Sequence, residues 1–308
     1  MKAIILLSGG QGKQLMSANI VRELAASKRY DAIYIVGVYR WWGSMLAFEY
    51  PEVCHEVNPQ LLPTLAATIM REPTEWDWLR DDVYGQSDFI LRRKHFNNVL
   101  REMWKLPTKD DGKLTPPVVM LGRAFESEVD RVARSLGKFI ILCRRGGGAV
   151  LTDQQGRRRI PTEESGLLRE YPTRQSTILV EKLRKRGYNV LQCKLKEEEL
   201  IQGCEQLQNE MPMPFWSMLA SRAVAVVTID SCLMHVAGAT AAKMVVLWRE
   251  TTPEQFGYNT ENIVNLLPHN YVPIAPLFSG IPDTPICEPA SPDEVITVLF
   301  DNEKKVTK

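Results

Sequence analysis

Asp230, Ser231, Cys232 and His235 fall within six residues in TIDSCLMHVAGATAAKMVVLW (Thr228 to Trp248), where an apolar run turns into a helix of small residues. A strand-to-helix turn carrying these groups can do ligand chemistry, because the free N–H groups and dipole of a helix N-terminus attract phosphate. With Ser231 as the cap, Ser231, His235, Gly238 and Ala239 share one small, polar face at i, i+4, i+7 and i+8. The carboxylate of Asp230 repels phosphate and suits sugar hydroxyls instead, while His235 is placed to donate to a phosphate or glycosyl oxygen. The alternative is an Asp-Ser cap over a core histidine.

A second turn, SGGQGKQ (Ser8 to Gln14), follows the apolar KAIILL. It is no P-loop, because Leu7 stands at the first glycine and Gln14 at the Ser/Thr, and it is no dinucleotide fingerprint, because Leu15 stands at the last glycine. A glycine turn at a helix N-terminus remains, in which Gly10, Gly12 and Lys13 are either donor contacts or parts of a tight turn. Charge is uneven along the chain. Lys138 to Lys196 holds 14 Lys and Arg against 5 Asp and Glu, and Glu197 to Lys308 holds 6 against 15. Bases cluster at Arg92, Arg93 and Lys94, at Arg144 and Arg145, and at Arg157, Arg158 and Arg159, with Trp41 and Trp42 after the second strand. These are a solvated surface or a polyanion contact. Asp88 and His95, in YGQSDFILRRKHF, are the candidates for a general base.

The elements that position these groups alternate. Strands are expected at Lys2 to Leu7, Ala32 to Val38, Val118 to Leu121, Phe139 to Cys143, in YNVLQC, in AVAVVTI and in MVVLW, with helices at Glu126 to Leu136 and from about Gln175 to Lys185. This is an α/β pattern of two doubly wound parallel sheets, consistent with a length of 308 residues. The expected domains are 1–137 and 138–308. The stretch from Glu72 to Lys113 is irregular and reads as an insertion. No apolar run approaches a membrane span, no secretory leader precedes the first strand, and no amphipathic membrane-surface helix is evident. Six scattered cysteines without a C-x-x-C pair point to reduced thiols, no zinc and a cytoplasmic location.

The order LREYPTRQSTILVEKLRKRGYNVLQC, then FWSMLASRAVAVVTIDSCLMHVAGATAAKMVVLW, then ETTPEQFGY, resembles the C-terminal half of glycosyltransferase family 9, the heptosyltransferases. The resemblance covers about Gly166 to Tyr258 and extends loosely to the N-terminal half. It implies a GT-B fold, two Rossmann-like domains facing a cleft, with the nucleotide-sugar on the C-terminal one. Arg169 matches the family's phosphate-contacting lysine, and Asp230, Ser231, Cys232 and His235 match its donor segment, with Cys232 in place of the usual glycine. Lys13 stands where the family carries an aspartate proposed as catalytic base.

The expected function is therefore an inverting, metal-independent glycosyltransferase. Arg169, Arg174 and the helix N-terminus at Ser231 would neutralise the leaving diphosphate of a nucleotide-sugar co-substrate, with no other cofactor. The acceptor hydroxyl is read first as a hydroxymethylated pyrimidine in DNA, as in phage DNA-modifying enzymes working in host cytoplasm. Trp41, Trp42, Arg92, Arg93, Arg157, Arg158 and Arg159 would then contact the nucleic acid. The alternatives are an envelope saccharide such as lipopolysaccharide, and a non-catalytic nucleotide-sugar-binding protein.

Overall fold

The computed structural model describes residues 1–300 except 38, 92, 111–113, 118, 120–124, 147–150, 153–157, 160–169, 250 and 270–287, and only the backbone of 40, 151, 152, 158 and 159. The chain divides into two compact units, Met1–Asp111 and Gly112–Lys308.

The first unit runs β1 (Lys2–Leu7), α1 (Gln11–Ala26), β2 (Ala32–Gly37), α2 (Arg40–Glu49), β3 (Cys54–Glu56), α3 (Leu62–Arg71), β4 (Trp76–Arg80), α4 (Ser87–Ile90) and α5 (Phe96–Met103). Its strands form one parallel sheet in the order β3-β2-β1-β4. The central strand β1 reads KAIILL because both its faces are covered, so an alternating pattern would bury polar groups. The edge strand β4 reads WDWLR and stays partly exposed.

The second unit runs α6 (Glu126–Leu136), β5 (Phe139–Cys143), β6 (Leu151–Thr152), β7 (Arg158–Arg159), α7 (Thr173–Lys185), β8 (Asn189–Gln192), α8 (Met213–Ala220), β9 (Ala225–Ile229), α9 (Cys232–Gly238), β10 (Lys243–Leu247), α10 (Pro253–Phe256), β11 (Ile263–Leu266) and α11 (Pro292–Phe300). Its main sheet is parallel in the order β11-β10-β9-β5-β8, and β6 and β7 pair antiparallel. Strands β5 (FIILC) and β9 (AVVTI) are buried at every position. Against one face lie Leu179, Val180 and Leu183 of α7 with Val295, Ile296 and Leu299 of α11. Each such side chain contributes about 1.5–3 kcal/mol by leaving water.

Two expectations change. The division falls after Asp111 instead of at 137/138, because α6 packs against α8 and belongs to the second unit. The stretch read as an irregular insertion supplies the edge strand β4 and the helix α5, which packs on α1 and buries Phe96, Val99 and Leu100. Helix α3 (LPTLAATIMR) buries none of its residues and leaves Met70 81% exposed, beside Leu61 at 56%. The expected strand at Val118 to Leu121 lies largely outside the described residues, and Val119, which is described, is not in a strand.

Candidate functional site

In an open parallel sheet, ligands bind beyond the carboxyl ends of the strands, where helix N-termini and loops converge. Both candidate turns stand there.

In the first unit, β1 ends at Ser8, and Gly9 takes φ +76, the left-handed turn that glycine allows. Gly10 is the N-cap of α1 and Gly12 lies in its first turn, with no side-chain cap bond. Lys13 folds back under this turn. Its Nζ donates to Ser8 Oγ at 2.8 Å, lies 3.3 Å from Asp81 Oδ1 and sits 5.1 Å from the centroid of the Tyr84 ring. Asp81, directly after β4 and only 1% exposed, also accepts from Ser8 N (3.0 Å), Ser8 Oγ (2.7 Å) and Ser17 Oγ (3.2 Å). Lys13 is thus paired inside the unit, and Asp81 is a carboxylate the sequence reading passed over. The "LRDD" around it lies in the stretch that looked like an insertion.

The proposed base candidates have structural work. His95 is buried and caps α5, its Nδ1 accepting from Asn97 N at 3.1 Å. Asp88 forms an ion pair with Lys94 at 2.9 Å, and that hydrogen bond holds its carboxyl below the usual carboxylate range. Among the expected nucleic-acid contacts, Trp42 is buried and cannot wedge into a base stack, whereas Trp41 is half exposed. Arg93 is exposed, 3.9 Å from Asp88. Arg92 and Arg157 lie outside the described residues, and Arg158 and Arg159 are described only as the backbone of β7.

In the second unit, the ends of the neighbouring strands β5, β9 and β10 form one edge. Gly146 approaches the β9–α9 turn so closely that a Cβ there would stand 3.6 Å from the Asp230 carbonyl and 3.8 Å from Ser231 Cβ. Ser231 is the N-cap residue of α9 by backbone, but its hydroxyl makes no cap bond. That hydroxyl lies 3.1 Å from Thr228 Oγ1 and 3.6 Å from Cys143 Sγ. The expected capping by the Ser231 side chain is therefore absent.

His235 also differs from expectation. All residues from Leu233 to Gly238 are buried, His235 among them, while Ser231 and Ala239 of the same face keep some exposure. Its Nδ1 lies 2.7 Å from Tyr258 Oη, and burial pushes its pKa down to about 4, against the opposing pull of Asp230. The imidazole is neutral at ordinary pH. Tyr258→Phe should cost about 1–3 kcal/mol in thermal or urea unfolding, because it strands a buried ring nitrogen. A loss below a few tenths would mean that this bond is replaced.

The basic pair after β5 is neutralised. Arg144 lies 3.0 Å from Glu198, with both side chains buried, and donates from Nη1 to the Tyr171 carbonyl at 3.1 Å. Arg145 lies 2.6 Å from Glu170, again both buried. Burial raises the Glu198 carboxyl despite Arg144. Arg249 donates to the Glu170 carbonyl at 2.7 Å, so residues 170–171 are tied to the ends of both β5 and β10. Arg169, their neighbour, lies outside the described residues. Arg174 is exposed in the first turn of α7, and Cys232, the first residue of α9, is partly exposed. Asp230 is 6% exposed at the end of β9. Glu170, Glu198 and Tyr258 are polar partners that no local motif announced. Among the described residues no group of three or more His, Cys, Asp or Glu is arranged to hold a metal, and no helix is long and apolar enough to cross a membrane.

Residues 165–273 match the family model for glycosyltransferase family 9 (heptosyltransferase). No curated protein matches the chain. Among solved structures, the glycosyl transferase family 9 protein from Veillonella parvula DSM 2008 aligns at TM-score 0.62 and 11% identity, over 97% of each chain. The E. coli ADP-heptose lps heptosyltransferase II aligns at 0.58 and 14%, over 99% of this chain and 100% of the other. E. coli heptosyltransferase WaaC with ADP aligns at 0.54 and 12%, over 98% and 100%. The fold is the GT-B α/β fold of these glycosyltransferases.

Proposed function

We propose, from a chain whose residues 165–273 match the glycosyltransferase family 9 model, an inverting glycosyltransferase that moves a sugar from a nucleotide-sugar to a saccharide hydroxyl. The observation that carries this reading is that the family match spans Asp230, buried at the end of β9, together with the Glu170–Arg249 contact that ties residue 170 to the end of β10. Because the structural relatives include proteins named for ADP-heptose or solved with ADP, ADP-heptose is the first donor to test.

In the reaction, an acceptor hydroxyl attacks the anomeric carbon as the bond to the diphosphate breaks, and the hydroxyl proton leaves to a base. Developing charge on the departing diphosphate would be met by Arg169, Arg174 and the N-terminus of α9, so the reading needs no metal. Asp230 would hold sugar hydroxyls. A saccharide acceptor is favoured over DNA for two reasons. Arg144 and Arg145, counted among the basic clusters, are buried in ion pairs, and Trp42 is buried too. The structural relatives also include a protein named as an lps heptosyltransferase. One observation favours the second reading, a binding protein without catalysis: Lys13 stands at the family's aspartate and is locked to Asp81.

The test is a panel of nucleotide-sugars, ADP-heptose included, offered with lipopolysaccharide-core acceptors and with hydroxymethylated DNA, products read by mass. Transfer to a saccharide is expected. Transfer only to DNA overturns the acceptor, and binding without any transfer selects the second reading. Asp230→Asn should lower transfer by about 10- to 100-fold, the worth of a charged hydrogen bond, with ADP affinity unchanged or better. Equal loss of both would make Asp230 a structural residue.

A further inference from the structure

Thr251 and Thr252 follow β10 on the strand-end edge that carries Asp230, and both are closed off from solvent, at 1% and 0% exposure. Neither Oγ1 has a hydrogen-bond partner. Threonine hydroxyls elsewhere in this unit do find partners: Thr228 donates to the Ile229 carbonyl at 3.0 Å, Thr240 to Ala237 at 2.7 Å and Thr177 to Thr173 at 3.0 Å. Thr252 is moreover the N-cap of α10, where a threonine hydroxyl ordinarily accepts from the first turn. Here it makes no cap bond, and the turn is closed through its carbonyl, to Gln255 N at 3.1 Å. Two adjacent orphaned hydroxyls are rare, because a buried polar group without a partner is destabilising.

The register relates them to Asp230. Strand β10 pairs with β9 with Leu247 opposite Ile229, so Asp230 and the chain that leads to Thr251 leave the sheet at the same edge. Asp230 disfavours phosphate nearby, whereas a threonine hydroxyl both donates and accepts, as a sugar hydroxyl does. We infer that Thr251 and Thr252 bind the sugar hydroxyls of the donor and help to select which sugar is transferred. This rests on the nucleotide-sugar reading above. Because both hydroxyls are closed off, the inference requires a local opening around Thr251 and Thr252 on binding.

Thr251→Val and Thr252→Val keep the shape and remove the hydroxyl; Thr→Ser at each site keeps it. By calorimetry with ADP-heptose, or whichever nucleotide-sugar of the panel the wild type binds, the double valine variant should bind the nucleotide-sugar about tenfold more weakly. Affinity for ADP alone should be unchanged. The serine variants should restore nucleotide-sugar binding, and the free valine variants should melt at or above the wild-type temperature, since the orphaned groups are gone. Unchanged nucleotide-sugar affinity in the valine variants, or an equal loss for ADP, overturns the inference while leaving the donor reading intact. A wild type that binds no nucleotide-sugar overturns that reading and this inference with it.

Discussion

Lys13→Met is expected to destabilise the N-terminal unit by about 3–5 kcal/mol, the usual consequence of leaving one member of a buried ion pair without the other. Lys13 and Asp81 have side chains 7% and 2% exposed, and the Asp81 carboxylate sits among Ser8 N, Ser8 Oγ and Ser17 Oγ. Those neutral donors cannot supply the charge that the lysine brings. The double variant Lys13→Met with Asp81→Asn should recover most of the loss, because an amide can keep some of the donors without carrying a charge. Urea unfolding of the three proteins is the measurement. A loss under about 1 kcal/mol for Lys13→Met would mean the lysine is not tied into the fold, and it would return as a candidate ligand contact. Binding of nucleotide-sugar to folded Lys13→Met should match the wild type, since the ammonium is directed into the unit's own interior.

Acidification from pH 7 to pH 4 should remove about 3 kcal/mol from the C-terminal unit through His235 alone. Its pKa falls from 6.5 to about 4 on burial, a displacement worth roughly that much at about 1.4 kcal/mol per pH unit. The folded protein binds fewer protons at this ring than the unfolded chain does. The stabilisation is therefore complete above pH 6.5 and is lost as pH falls towards about 4. Glu198, whose carboxyl is raised by burial, works in the opposite direction, its contribution being lost as pH rises through its folded value. Comparison with His235→Gln separates the two. Gln can still meet Tyr258 Oη but does not titrate, so its unfolding free energy should vary less steeply with pH between 4 and 6.5. Identical slopes for the two proteins would show that the ring is charged or solvated in the folded state.

Lys13 and His235 make the same point about function. Each was a candidate for meeting a ligand, and each meets a partner of its own fold instead. At the C-terminal strand ends the remaining candidates are the turn at Asp230 and Ser231 and the two threonines after β10.

The order of buried parallel strands was legible in the residues. KAIILL, FIILC and MVVLW read as strands because a strand covered on both faces must be apolar throughout, a local property of its own sequence. Helices α6 and α7 were legible for the same local reason, the recurrence of apolar residues at helical spacing. The edge strands β3, β4 and β11 were not, since a short, half-exposed strand of mixed polarity carries no pattern that distinguishes it from a loop. At the site, the sequence determined that a carboxylate, a hydroxyl and an imidazole stand together at a strand-to-helix turn. Only the tertiary structure decided what they touch. Ser8 meets a carboxylate 73 residues away, Ser231 a thiol 88 away and His235 a phenol 23 away. Arg144 and Arg145 lose their availability to Glu198 and Glu170, which come from loops beyond β8 and before α7. Charge along a chain records how many cations it has. Whether they face solvent depends on burial and on partners brought by distant segments, and no spacing rule encodes that.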